Sequence, residues 1–205
     1  MTAGLRRFTQ AAPAPPVPEP VERCEMCGVE LGARHGHVVE VDKRSLACTC
    51  RACYLLFTRD GAAGGRYRAV PERYLIDPAH RLTSADWDEL QIPVTTAFFF
   101  TNSALERVVA CYPSPAGATE CLLDLGAWQR LTESHPLLAA PAPDVEAVFV
   151  TNLAAFLIPI DACYALVGEV RLRWSGLDGG EEVRQAMAAF VADLRARSRP
   201  LPGEA

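Results

Sequence analysis

The chain has 205 residues, of which 50% are hydrophobic and 22% charged, and its formal net charge is −5 at pH 7. That balance suits a folded domain of ordinary size rather than a disordered chain. The acidic surplus disfavours nucleic-acid binding, which needs a basic footprint, and no apolar run is long enough to predict a membrane span. The N-terminal stretch has no apolar core of the kind a secretory signal carries, so a cytoplasmic location is expected.

Residues 1–20 are rich in proline and alanine and lack apolar periodicity. They read as a disordered tail. Residues 21–58 hold five of the eight cysteines. Within them, 37–41 (HVVEV) and 44–47 are short strand candidates joined at Asp42-Lys43, and a helix is expected to start at Cys50. The DGAAGG stretch at 60–65 reads as a loop.

Residues 66–198 read as a separate α+β domain. A short helix over 84–90 is expected, with Ser84 as its N-cap and Trp87 facing inward. Strands are expected at 94–101, 107–112 and 120–125, with a turn at 113–117, and short connections require them to pair antiparallel. A helix over 128–134 should stop at Pro136, and two more strands should lie at 145–151 and 156–160. Asp161 is the expected N-cap of a helix reaching Trp174, with Cys163, Leu166, Val167, Val170 and Trp174 on one stripe. Asp178 and Glu181 form a candidate capping box for a last helix whose apolar face carries Val183, Met187, Phe190, Val191 and Leu194.

The cysteines carry the chemistry. Cys24-Glu25-Met26-Cys27-Gly28 has the spacing of a metal knuckle, in which a tight turn brings two thiolates to one ion. Cys50-Arg51-Ala52-Cys53 repeats the spacing at a helix start, where the helix dipole favours negative sulfur. A knuckle, a hairpin and a cysteine-bearing helix follow the order of a treble-clef or zinc-ribbon-like module. Cys24, Cys27, Cys50 and Cys53 are therefore the expected ligands of one metal, zinc first and rubredoxin-like iron second. Their sulfurs should converge within about 4 Å of one another. Cys48 competes with Cys50 as a ligand, but only Cys50 has the needed spacing to Cys53. His35 and His37 form a His-x-His pair that could turn both rings to one side, and they stand in the second tier with Cys48. Cys111, Cys121 and Cys163 read as buried apolar side chains. No phosphate-binding loop and no nucleophile elbow is present in the sequence.

The segments CEMCG, HGHVVEVD, LACTCRACYLLF and GGRYRAVPERY, followed by VTTAFFFTNS, VVACYPSPAGATE, PDVEAVFV, IPIDACYALVGEVRLRWSGLDGG and AAFVADLRAR, resemble an uncharacterised bacterial family over about residues 24–198. That family is mostly actinobacterial and is encoded near nickel–iron hydrogenase genes. The resemblance implies an accessory role whose protein partner is such a hydrogenase or its maturation machinery. It supplies no known activity. The family pattern includes the histidine pair matched by His35 and His37 and the cysteine run matched by Cys48, Cys50 and Cys53.

With so little to bury, the 1–20 segment should be dispensable for folding. Its deletion is expected to leave the thermal midpoint unchanged in a calorimetric scan, and a large drop would refute this.

Overall fold

In the AFFF and VFV runs apolar side chains follow one another without the polar alternation of a half-exposed strand. Strands of this kind are covered on both faces. In the computed structural model, which describes residues 21–79, 82–151 and 154–202, they form the middle of a seven-stranded sheet.

Among the described residues, ten strands and six helices follow in chain order. The first are β1 (Gly36–Glu40), β2 (Ser45–Thr49), α1 (Arg51–Leu55), β3 (Tyr67–Ala69), β4 (Leu75–Ile76) and α2 (Ser84–Glu89). The antiparallel meander β5 (Thr96–Asn102), β6 (Arg107–Ser114) and β7 (Gly117–Cys121) comes next, then α3 (Leu125–Ser134) and α4 (Pro136–Ala139). The chain closes with β8 (Glu146–Thr151), β9 (Ala154–Pro159), α5 (Ile160–Arg173), α6 (Gly180–Arg197) and β10 (Arg199–Pro200). A small sheet has the order β2-β1-β3, and the large one β10-β4-β9-β8-β5-β6-β7. The protein is thus a mixed α+β fold of helices and sheets whose strands pair antiparallel except at the β10–β4 edge.

The period of two along each strand sorts side chains between two cores. Phe98 and Phe100 of β5, with Ala147 and Phe149 of β8, face α5 and α6. Ala97 and Phe99, with Val148 and Val150, face the α2–α4 side, where Leu90, Trp128, Leu131 and Leu138 pack on them. Phe99 stacks on Trp128 at a centroid distance of 4.6 Å. The expected stripe of α5 is buried through Cys163, Leu166, Val167 and Val170, and Trp174 packs beside it. On α6, Val183 and Leu194 are buried, and Met187, Phe190 and Val191 pack against the same core. No helix among the described residues is long and apolar enough to cross a membrane.

Several local expectations are corrected. The cap of α2 is Thr83, not Ser84, because Thr83 and Asp86 form a reciprocal capping box. The third strand of the meander is 117–121 rather than 120–125, since the turn needs only Pro115 and Ala116 between Ser114 and Gly117. The helix before Pro136 ends at Ser134 as expected but starts at Leu125 rather than Trp128, with Asp124 as its cap, and Pro136 opens a further short helix, α4, where a missing N–H costs nothing. The cap position of α5 is Pro159, and the Asp161 side chain points elsewhere. Gly179, in the left-handed conformation, precedes α6 in place of an Asp178–Glu181 box; Asp178 and Glu181 both bind Arg184. The short strands β3, β4 and β10 had no sequence forecast, and β10 runs parallel to β4. The 60–65 loop contains a 3-10 turn, Ala62–Gly65. Residues 1–20 lie outside the described residues.

Glu146 opens β8, the middle strand of the large sheet. Its side chain is 1% exposed, and both carboxylate oxygens accept from the Arg73 guanidinium, at 2.7 and 2.5 Å. The Ala142 N–H donates to the same carboxylate at 2.8 Å. Removing one partner of such a pair leaves an uncompensated buried charge. Arg73→Met is expected to cost about 2 kcal/mol in urea unfolding, below the fully buried range because solvent reaches the guanidinium. An unchanged midpoint would show that the pair is neutral.

Candidate metal centre

The 24–28 turn closes on itself. The Gly28 N–H donates to the Cys24 carbonyl at 2.7 Å and the Cys24 N–H to the Val29 carbonyl at 2.8 Å. Gly28 takes φ +76°, a conformation that glycine adopts without a Cβ penalty. Glu25 then stitches this turn to β2. Its backbone N–H donates to the Cys48 carbonyl at 2.9 Å, and its carboxylate accepts from the Cys48 N–H at 2.7 Å. That double link sets the first cysteine pair over the end of β2, where Cys50 begins α1. Cys50 is itself the cap of α1, its sulfur accepting from the Cys53 N–H at 3.5 Å.

Cys24, Cys27, Cys50 and Cys53 consequently come together from two segments. Their sulfurs all lie within 4.8 Å of one another, and Cys27 and Cys50 are 3.8 Å apart. Zinc–sulfur bonds in a tetrahedron set an edge of about 3.8 Å. The Cys27–Cys50 distance matches that edge, and the bound on the other pairs is close enough for one ion to draw them in. Cys24 is buried, Cys27 is exposed, and the other two lie between.

The thiols differ in acidity. Burial works against charge on Cys24, but the N–H groups of Cys50, Cys27 and Met26 together outweigh it and lower its pKa to about 6. Hydrogen bonding with Cys50, then burial, pushes Cys53 up to about 12. The Val29 N–H favours the thiolate of Cys27, but the neighbouring Cys24 sulfur opposes it and the net shift is upward. A thiol of lowered pKa at Cys24 beside the raised thiols of Cys27 and Cys53 is a nucleus for a cation, whose charge then expels the remaining protons.

Cys48 belongs to another group. It lies opposite His37 in the β1–β2 register, and His35, His37 and Cys48 offer ligand atoms within 4.8 Å of one another. The His37 Nδ1 lies 2.8 Å from the Asp161 carboxylate, and this hydrogen bond raises the histidine pKa above its usual value against the effect of burial. Sequence reasoning missed Asp161 at this position, because its partner is 124 residues away and no local pattern marks the contact. Cys111 and Cys163 are buried and Cys121 half-buried, and burial raises all three thiol pKa values.

The fold and cluster thus define a mixed α+β protein with four converging thiols near its N-terminal end. The chain belongs to the family of unknown function DUF5947, whose model matches residues 23–198. No curated protein and no solved structure matches it.

Gly36 ties the hairpin to α1. A Cβ there would lie 2.6 Å from Cδ2 of Tyr54, whose hydroxyl donates to the Val70 carbonyl at 2.9 Å. Gly36→Ala must therefore displace the ring and the helix that carries Cys50 and Cys53. It is expected to cost about 1–3 kcal/mol, with a much smaller effect in a Tyr54→Ala background. Additive losses in a double-mutant cycle would rule out this contact as the cause.

Proposed function

We propose that this protein is a metal-binding accessory protein of a nickel–iron hydrogenase system, with one zinc ion on Cys24, Cys27, Cys50 and Cys53. The convergence of four sulfurs from two sequence segments carries the metal reading. A donor set of four soft thiolates suits zinc and excludes magnesium and calcium. The knuckle, hairpin and helix at 21–58 supply a treble-clef-like module in this reading, and the ion fixes its otherwise small core. The 66–198 domain supplies the body that carries it. Exposed Leu55 and Leu56 follow Cys53 closely in the chain, on and beside α1, and give a protein partner an apolar foothold. The hydrogenase partner rests on the family resemblance of the motifs. A net charge of −5 supports a protein partner over nucleic acid, and a cytoplasmic site of action accompanies this role.

The exposure of Cys27 favours one alternative, an iron-based electron carrier, because it brings one edge of the cluster to the surface. Elemental analysis of protein purified without added metal separates the two. One tightly held zinc per chain in a colourless protein is expected, absent from Cys24→Ser. Iron with visible thiolate absorption would establish the carrier instead. In a strain lacking the gene, hydrogen uptake should fall at constant hydrogenase subunit level. Wild type should restore it and Cys24→Ser should not. Unchanged uptake, with no second gene copy, would sink the hydrogenase role.

A further inference from the structure

The β1–β2 hairpin gathers a second set of metal donors beside the four-cysteine cluster. Residues two apart share a face of an extended chain, so His35 and His37 turn to one side. The antiparallel register sets Cys48 directly across from His37. Two imidazoles and one thiol thereby offer ligand atoms that all lie within 4.8 Å of one another, and the two rings stand 4.9 Å apart, centroid to centroid, in an edge-on arrangement.

Both histidines have one ring nitrogen occupied and the other spare. The His35 Nδ1 donates to the Gly32 carbonyl at 3.0 Å, and its side chain is only 10% exposed. The Nε2 of the same ring is buried with no hydrogen-bond partner in the protein. A buried acceptor without a partner is destabilising, and a cation on its lone pair removes that cost. The His37 Nδ1–H donates to Asp161 at 2.8 Å. A carboxylate behind an imidazole is the arrangement that orients and strengthens a metal-binding histidine, since it fixes the tautomer that leaves Nε2 bare.

A cleft of about 590 Å³ lies beside the two histidines, lined among others by His35, His37, Tyr54, Asp161 and Arg197 but not by Cys48. We propose that His35, His37 and Cys48 form a second site, for a divalent transition ion of the zinc, cobalt and nickel class, with its fourth coordination position left to a non-protein ligand. Imidazole and thiolate donors exclude the hard ions magnesium and calcium. Three protein ligands and one open position distinguish the site from a closed structural centre, so its ion is exchangeable and can take a further ligand. The site stands independently of the reading of the four-cysteine cluster.

Cobalt is the probe that tests this. Full-length protein, purified with the metal it retains, is titrated with Co²⁺ under reducing conditions and followed by visible and near-ultraviolet absorption. One further equivalent should bind, giving tetrahedral d–d bands and a thiolate-to-cobalt charge-transfer band. His35→Ala/His37→Ala should remove that equivalent, with far-ultraviolet circular dichroism verifying the fold. Asp161→Asn should weaken it about 10- to 100-fold, as expected for loss of a carboxylate behind a ligand histidine. Cys48→Ser should abolish the charge-transfer band whether or not the double variant folds. No further equivalent in wild type, or a charge-transfer band that survives in Cys48→Ser, would overturn the proposal.

Discussion

The packing of the small cysteine-bearing sheet on the large one is the constraint on which the rest depends. Three strands of three to five residues bury too little by themselves to be stable. Val39 and Val70 instead join the core formed by Phe98, Phe149, Phe156 and Ile160, with Val41 and Leu46 against it. Polar ties surround this contact. Arg44 reaches Glu120 at 2.7 Å, the Arg68 guanidinium reaches Asp144 at 3.3 Å, and His37 reaches Asp161 at 2.8 Å. The hairpin is thus positioned by the C-terminal half of the chain, and both groups of donors inherit that position.

The hairpin in turn divides its donors by direction. Along β2, Ala47 and Thr49 are buried, and Cys48 between them turns to the other face. There it meets the histidines. At Cys50 the strand gives way to α1, and the chain direction changes, so Cys50 joins Cys53 and the 24–28 turn. A spacing of only two residues therefore separates donors of two different groups. The same short run carries the backbone link to Glu25, which makes the placement of one group depend on that of the other.

Chemically the two groups differ in what surrounds them. The four thiols have mostly one another and nearby N–H groups, the environment in which a cation is the natural counter-charge. The histidine–cysteine group has the Asp161 carboxylate on His37 and a cleft beside its two histidines. The first arrangement favours a closed coordination shell, and the second favours exchange with solution.

Local pattern was sufficient for much of this. Two Cys-x-x-Cys pairs, an intervening hairpin and the apolar periods of β5, β8, α5 and α6 are encoded within a few residues, so the sequence alone determined the α+β class and drew attention to Cys24, Cys27, Cys50 and Cys53. Caps were less legible: Thr83 took the place of Ser84 because Thr83 could bond reciprocally with Asp86, and Asp161 was drawn away from its expected cap. The two-residue strands β4 and β10 carry too few residues to show a period. Only tertiary structure decided that Cys48 stands with His35 and His37, and that Asp161, far along the chain, backs His37. Those contacts depend on strand register and on helix α5 packing against the hairpin. Both are set by burial of the shared core, and burial between distant segments leaves no mark on local residue spacing.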